Sequence, residues 1–391
     1  MGGRGFVGER SHRMAPMVLP TTAATVRLAD VFTSCGAAVR GEDNPVGLAP
    51  VSKAAVLLVD GMGAQNLEAR RGHARWLTEK WRKRALVGDS GFPSTTASAL
   101  TSLTTGVHPG EHGIVGYTVR DPGSGELINH LKNWEPHVQP ASWQRSPTVF
   151  EAAQGHGIPS ISMGERRFDG SDFTKAVWRG ATFLGTDSLA EQFQRLREFF
   201  DENDRALAYL YWPGLDRTGH SSGVNSEAWI RRLEDLDQQL RELDSVLRDE
   251  EGLVITADHG MLDVSDERKL MVPETSALLH SVTAWGGEPR VAQLYLETPD
   301  ATADVVAAWT ESLGGDAVVL SRADAIDASL FGPVAPEVVP RIGDVLVLAV
   351  EERAFYRSEV ASVQSVRMVG QHGSLTSVER EVPVIPLGAW A

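Results

Sequence analysis

The sequence predicts an α/β fold: a mostly parallel central sheet flanked by helices on both faces, with a smaller α+β insert before the last sheet elements. Three observations predict it. Short, continuous apolar runs recur rather than alternating apolar and polar residues, as strands buried on both faces require. These runs alternate with stretches of helical periodicity, the pattern of parallel sheets joined by crossover helices. Several runs also end in an acid or imidazole followed by glycine, and ligands of open α/β sheets bind at that end of the strands.

The pattern is clearest at Val56-Leu-Leu-Val-Asp60-Gly-Met-Gly63, which closes a predicted strand Ala54–Asp60. Further strands are expected at Ala85–Gly88, Ser160–Met163, Ala206–Trp212 and Leu253–Ala257. Ser226 opens a long helical pattern. Trp229, Ile230, Leu233, Leu236, Leu240, Leu243 and Leu247 share one face, with acids and arginines opposite. The spacing carries this helix to about Glu251-Gly252, where glycine breaks it before the next strand.

From about Gly260 the chain reads differently. Strands are expected at Val291–Glu297, Val318–Ser321 and Val345–Val350, with a helix around Ala303–Leu313. Pro and Gly clusters at Gly286–Pro289 and Gly332–Pro340 separate these pieces. Residues 262–369 are therefore expected to form a subdomain inserted into a single catalytic domain spanning 21–391. Residues 1–20 read as a flexible extension, with Met14 an alternative start. Tyr117–Ser146, which carries Trp134 and Trp143, is too long for a plain connector and is expected to be a substrate loop.

Composition narrows the function. The chain has 391 residues, 42% hydrophobic and 23% charged, the proportions of an ordinary globular protein. A net charge of −15 argues against binding nucleic acid polymers or anionic membranes by bulk attraction. A phosphate substrate would need a local positive centre, and bound metal is the economical source. The single cysteine, Cys35, excludes internal disulfides and thiolate clusters and reads as a small buried residue. No apolar run is long enough to span a bilayer, and Met1 to Arg13 has no apolar signal core, so a cytoplasmic location is expected. Nothing in the sequence specifies an oligomeric state.

Five short clusters hold most candidate metal ligands: Asp60; Gly91-Phe-Pro-Ser-Thr-Thr96, which leads into a helical stretch Ala97–Thr105; Tyr209-Leu-Tyr-Trp-Pro-Gly-Leu-Asp216 with Gly219-His220; Val254-Ile-Thr-Ala-Asp258-His259-Gly260; and Gly370-Gln-His372-Gly373-Ser374. Asp60, Asp216 and Asp258 with His220, His259 and His372 suit two divalent cations of borderline softness such as zinc. Paired metals about 4 Å apart clamp the attacking and leaving oxygens of an in-line phosphoryl displacement. Thr96, at a helix N-terminus and coordinated to one cation, would be the nucleophile. Each member alone also fits a structural role: Asp60 and Asp216 as turn residues, Ser94 to Thr96 as an N-cap cluster, His372 as a loop histidine. His108 and His112 read as structural residues or as supports behind the ligands, and Trp134, Trp143 and Trp212 as packing residues or stacking platforms.

The order of these motifs resembles the alkaline phosphatase superfamily, and within it the nucleotide pyrophosphatase/phosphodiesterase family most closely. Phe92-Pro-Ser-Thr-Thr96 looks like the family's nucleophile motif, and Thr104-Thr-Gly-Val-His-Pro-Gly-Glu-His-Gly-Ile114 is similar to the stretch that follows it. Asp216-Arg-Thr-Gly-His220 and Asp258-His259-Gly260 look like its ligand pairs. The resemblance implies one zinc held by Asp216, His220 and His372, and another held by Asp60, Thr96, Asp258 and His259.

Where that family commonly places an asparagine against a phosphoryl oxygen, this chain has Tyr117, a candidate substrate-binding residue. Ala97 stands where an aromatic often covers the substrate. No arginine closely follows Thr96 to hold a monoester's extra charge, which tilts the expectation toward diesters, and no Cys-x-Pro-x-Arg occurs, which argues against a sulfatase. The expected activity is metal-dependent hydrolysis of a small phosphate ester or nucleotide through a phospho-threonine. A phosphomonoesterase or phosphonate hydrolase, a phosphotransferase or mutase, and a non-catalytic metal-binding protein are the alternatives.

Overall fold

A computed structural model describes residues 20–391, residue 133 excepted. The expected extension at 1–20, apart from its last residue, lies outside the described residues. The centre is an eight-stranded sheet in the order Val26–Arg27, Leu86–Asp89, Glu381–Gly388, Glu251–Thr256, Lys53–Val59, Ala206–Trp212, Ser160–Glu165, Thr182–Thr186. Seven strands run parallel, and Glu381–Gly388 runs antiparallel to both neighbours. The middle strands are buried almost throughout. Their continuous apolar sequences follow directly from having helices on both sides.

Most expected strands are present with ends shifted by a residue or two. Thr182–Thr186 and Glu381–Gly388 were not anticipated individually. The last carries Pro383 and Pro386, which normally argue against an interior strand. It pairs with Leu86–Asp89 over its first half and with Glu251–Thr256 over its second. Each half thus has one open side, where a residue lacking an N–H is tolerated.

The long helix spans Glu227–Asp244, with the Ser226 hydroxyl accepting from the Trp229 N–H at 3.1 Å as its cap. It stops short of the expected Glu251-Gly252, because the apolar spacing continues into a turn where Leu247 still packs on the core. Glu251 and Gly252 already belong to the next strand. A Cβ on Gly252 would lie 2.4 Å from the Trp390 ring, so this glycine makes room for tryptophan rather than ending a helix.

Between the strands Glu251–Thr256 and Glu381–Gly388 the chain builds a separate antiparallel sheet, ordered Val282–Glu288, Val291–Leu296, Val345–Ala349, Ala317–Ser321. Helix Thr302–Leu313 covers it, and Trp309 is fully buried in its own apolar cluster. Entry and exit are pinned together, since Leu262–Asp263 pairs antiparallel with Gly370–Gln371. Gly286–Pro289, expected as a separator, instead contributes the end of a strand and its hairpin turn. A Cβ on Gly286 would meet the Thr118 carbonyl oxygen at 2.6 Å, so glycine lets this strand approach the 117–146 loop.

That loop is ordered by side chains rather than long secondary structure. It holds a ribbon of Thr118–Arg120 with Leu127–Asn129 and a short helix Pro140–Trp143. The His130, Trp134 and Trp143 rings cluster in edge and tilted contacts, and both indole N–H groups donate to His130. These tryptophans are packing residues. Buried His112 is bonded to Ser102 Oγ and the Ile114 N–H. Among the described residues no helix is long and apolar enough to cross a membrane.

Candidate active site

The site lies at the C-terminal ends of the parallel strands Lys53–Val59, Ala206–Trp212 and Glu251–Thr256. Asp60 directly follows the first strand. Its carbonyl accepts from the Asp216 N–H at 3.1 Å, and Gly61 N–H donates to Asp258 Oδ1 at 3.1 Å. Gly61 adopts φ +76°, and a Cβ there would lie 2.9 Å from Asp216 Cα. Glycine is what lets the two carboxylate-bearing turns touch. Asp216 and His220 share one face of helix Gly214–Ser222.

Thr96 is the first residue of helix Thr96–Thr105, and Thr95 before it makes no side-chain capping bond. The nucleophile loop is laced to the His372 loop. Ser94 N–H donates to the Gly373 carbonyl at 3.0 Å, Ser94 Oγ to the Ser374 carbonyl at 2.7 Å, and His372 Nδ1 lies 3.0 Å from the Ser94 carbonyl.

All seven residues singled out as ligands therefore converge, from five separate stretches of sequence. Thr96 Oγ1 is 3.2 Å from His259 Nε2, which is 3.3 Å from Asp60 Oδ1 and 3.4 Å from Asp258 Oδ2. His220 Nε2 is 3.2 Å and His372 Nε2 3.8 Å from Asp216 Oδ1. The His259 and His372 rings stack at 3.5 Å. Two groups have ligand atoms close enough for one ion each: Asp216, His220 and His372; and Asp60, Asp216 and His259. Asp216 belongs to both, whereas the family resemblance assigns it to one.

One oxygen of each of the three carboxylates has no hydrogen-bond partner. Asp60 Oδ1, Asp216 Oδ1 and Asp258 Oδ2 are all buried without a hydrogen bond. Buried orphan acceptors are costly, and several facing one another are the donor set of a cation site. The histidines agree. His259, His220 and His372 place Nδ1 against the carbonyls of Gly260, Gly370 and Ser94, at 3.2, 2.8 and 3.0 Å. A carbonyl accepts only from N–H, so each Nε2 keeps a lone pair toward the cluster.

Burial, with Asp258 and Asp216 beside it, pushes the Asp60 carboxyl well above the usual range. Burial and Asp216 push Asp258 up to about 7. Burial and the neighbouring imidazoles lower His259, and His372 falls to about 4. A cation among these groups reverses the balance by favouring ionised carboxylates and neutral imidazoles. The residues present fit divalent metal.

Tyr117 is half-buried. Its N–H donates to Glu288 Oε2 at 3.0 Å. Glu288, from the insert, is buried with Oε1 unpartnered, and burial pushes its carboxyl up to about 8. A Cβ on Gly373 would meet Glu288 Cγ at 2.5 Å, so this carboxyl sits between the Tyr117 and His372 loops. The sequence reading missed Glu288, because its place beside the site depends on how the insert folds back. It also assigned nothing to Tyr211, whose hydroxyl donates to Asp60 Oδ2. Its place near the end of strand Ala206–Trp212, five residues before the candidate ligand Asp216, was the available signal.

The sequence model of the type I phosphodiesterase / nucleotide pyrophosphatase family matches residues 54–375. An uncharacterized pyrophosphatase/phosphodiesterase of Schizosaccharomyces pombe is 25% identical over 209 residues, which is 50% of this chain and 42% of that protein. The chain thus matches less than half the length of that curated relative. Murine ectonucleotide pyrophosphatase/phosphodiesterase 5, solved in complex with AMP, superposes with a TM-score of 0.66 at 17% identity, over 86% of this chain and 88% of that one. Phosphonoacetate hydrolase from Sinorhizobium meliloti, solved with phosphonoacetate, gives 0.65 at 20% identity over 85% and 89%. These likenesses establish the alkaline-phosphatase-like fold. With a family match that runs from the strand before Asp60 to beyond His372, the chain belongs to the type I phosphodiesterase / nucleotide pyrophosphatase family.

Proposed function

We propose that the chain is a metal-dependent hydrolase of phosphoric esters, a phosphodiesterase or nucleotide pyrophosphatase working through a phospho-threonine on a two-zinc centre. The observation that carries this reading is Thr96 Oγ1 at a helix start, 3.2 Å from His259 Nε2 and beside three orphaned buried carboxylate oxygens. The proposed ligands are Asp216, His220 and His372 for one ion and Asp60, Thr96, Asp258 and His259 for the other, with Asp216 within reach of both groups. When bound, the cations supply the positive charge that lowers the pKa of the Thr96 hydroxyl and offsets the charge of the phosphoryl oxygens.

The chain's own groups do the rest. Thr96 Oγ1 loses its proton and attacks phosphorus, the bond to the leaving oxygen breaks opposite it, and water then opens the Oγ–P bond. The uncapped N–H groups at the start of helix Thr96–Thr105 suit a non-bridging oxygen. Their charge is oriented before the reaction begins. The three Nδ1–carbonyl contacts hold each imidazole in one tautomer, so no imidazole proton need move before a cation is engaged. Tyr117 is proposed to face the substrate. Small phosphate esters or nucleotides are the proposed substrates and cytoplasm the proposed location. A phosphonate or phosphomonoester substrate would use the same residues.

The test is Thr96→Ala, assayed on bis-p-nitrophenyl phosphate, nucleotide sugars and dinucleotides with zinc. Turnover should fall at least about 1,000-fold, the order expected for removing a nucleophile, while zinc content survives. A variant near the wild-type rate overturns the threonine mechanism. Mono-p-nitrophenyl phosphate and a phosphonate in the same screen separate the substrate classes.

A further inference from the structure

We propose that Tyr211 is a positioning residue that fixes Asp60 as a one-oxygen metal ligand, and that it thereby sets the affinity and size preference of the cation beside Thr96. This rests on the reading of the cluster as a metal centre. The Tyr211 hydroxyl donates to Asp60 Oδ2, and Asp60 Oδ1 is left buried and unpartnered, 3.3 Å from His259 Nε2. The two oxygens of one carboxylate are thus divided: one is spent on the phenol and one is free for a cation.

The geometry that divides them is rigid. Tyr211 lies opposite Leu58 in the parallel pairing of Lys53–Val59 with Ala206–Trp212, just before Asp60 leaves that sheet. Asp60 N–H donates to the Trp212 carbonyl at 3.0 Å, so the carboxylate and the phenol are held by adjacent backbones. The Tyr211 ring packs edge-on against Phe168 at 5.9 Å and tilted against Trp178 at 6.5 Å, and its own carbonyl accepts from Gln192 Nε2 at 3.0 Å. The ring is 7% exposed and cannot swing away without disturbing that packing. The same strand then runs through Pro213 into the helix bearing Asp216 and His220. One segment therefore carries ligands for one ion and the orienting group for the other.

Two consequences follow. A hydrogen bond from outside the coordination sphere sets the orientation of a ligating carboxylate, and losing such a bond weakens metal binding by about 10- to 100-fold. A carboxylate offering one oxygen also suits a small, low-coordinate ion, whereas one free to offer both accommodates a larger hard cation.

The experiment compares wild type, Tyr211→Phe and Tyr209→Phe by chelator competition for zinc and by calcium and manganese titration, with thermal unfolding of the metal-free proteins as a fold control. Tyr209 lies two residues earlier on the same strand, is fully buried, and has a hydroxyl with no partner. Tyr211→Phe should weaken one of two zinc equivalents by about 10- to 100-fold and narrow the preference for zinc over calcium, with Tyr209→Phe close to wild type. Zinc isotherms that match between Tyr211→Phe and wild type overturn the proposal and leave the metal centre intact. So does an equal loss in Tyr209→Phe, which would mark a general effect of altering the strand. A wild-type protein that takes up no zinc overturns both this inference and the metal centre it rests on.

Discussion

Arg290 and Glu379 form an ion pair with no side-chain exposure on either partner, and breaking it should cost the protein both stability and metal. Arg290, from the insert, donates through Nε and Nη2 to the two Glu379 oxygens, each at 2.9 Å, and through Nη1 to the Arg353 carbonyl at 2.7 Å and the Glu351 carbonyl. Glu379 also accepts from the Ser374 N–H at 2.9 Å, two residues beyond His372. Burial alone would raise the Glu379 carboxyl, but the charge and hydrogen bonds of Arg290 outweigh it and hold the group below its usual value.

Arg290→Met keeps the volume and strands the carboxylate, a change that costs about 3–5 kcal/mol when a buried pair loses one partner. Adding Glu379→Gln removes the stranded charge and should recover part of that loss. The sign with pH is fixed. In wild type the lowered carboxyl contributes stability above its unfolded value, and that stability is lost as pH falls. In Arg290→Met the same carboxyl is raised, so the deficit grows as pH rises above the ordinary carboxylate range and shrinks in acid. Denaturant unfolding of the two single variants, the double variant and wild type measures the coupling, and zinc analysis reports on the proposed ligand His372. An Arg290→Met protein within about 1 kcal/mol of wild type at neutral pH, or a double variant no more stable than Arg290→Met, would refute the reasoning.

Glu288→Gln keeps the shape and the acceptor for the Tyr117 N–H but cannot ionise. Because the folded carboxyl is pushed up to about 8 from an ordinary 4.5, its stabilising contribution is complete below the unfolded value and disappears as pH rises through the folded one. Melting temperature should fall over that range more steeply in wild type than in Glu288→Gln; parallel curves would show that the carboxyl is already ionised. Gly61→Ala places a Cβ 2.9 Å from Asp216 Cα at φ +76°. It should destabilise by at least about 1 kcal/mol and lower zinc occupancy, and normal zinc uptake would mean that the two turns need not touch.

Most of the site was legible because its chemistry is concentrated at strand ends. Asp60 and Asp258 each follow an apolar run, Asp216 and His220 sit four apart on one helix face, and Thr96 begins a helix after a proline-containing turn. The parallel sheet was legible for the same reason, since strands covered on both faces show it in composition. Features that depend on distant neighbours were not. Gly252 reads as a helix stop and Gly286 as a separator until Trp390 and Thr118 are found against them. Pro383 and Pro386 hide a central strand that is paired on one side at a time.

The sequence by itself determined the sheet type, the long helix and which side chains are candidate ligands, because periodicity and local turn chemistry act over a few residues. Only the tertiary structure decided that Asp216 lies within reach of both ligand groups, that Tyr211 occupies one oxygen of Asp60, and that the insert reaches back through Glu288 and Arg290 to hold the Tyr117 and His372 loops. Those contacts join residues from distant parts of the chain, and burial and hydrogen-bond partnership at such contacts are set by packing that no local pattern encodes.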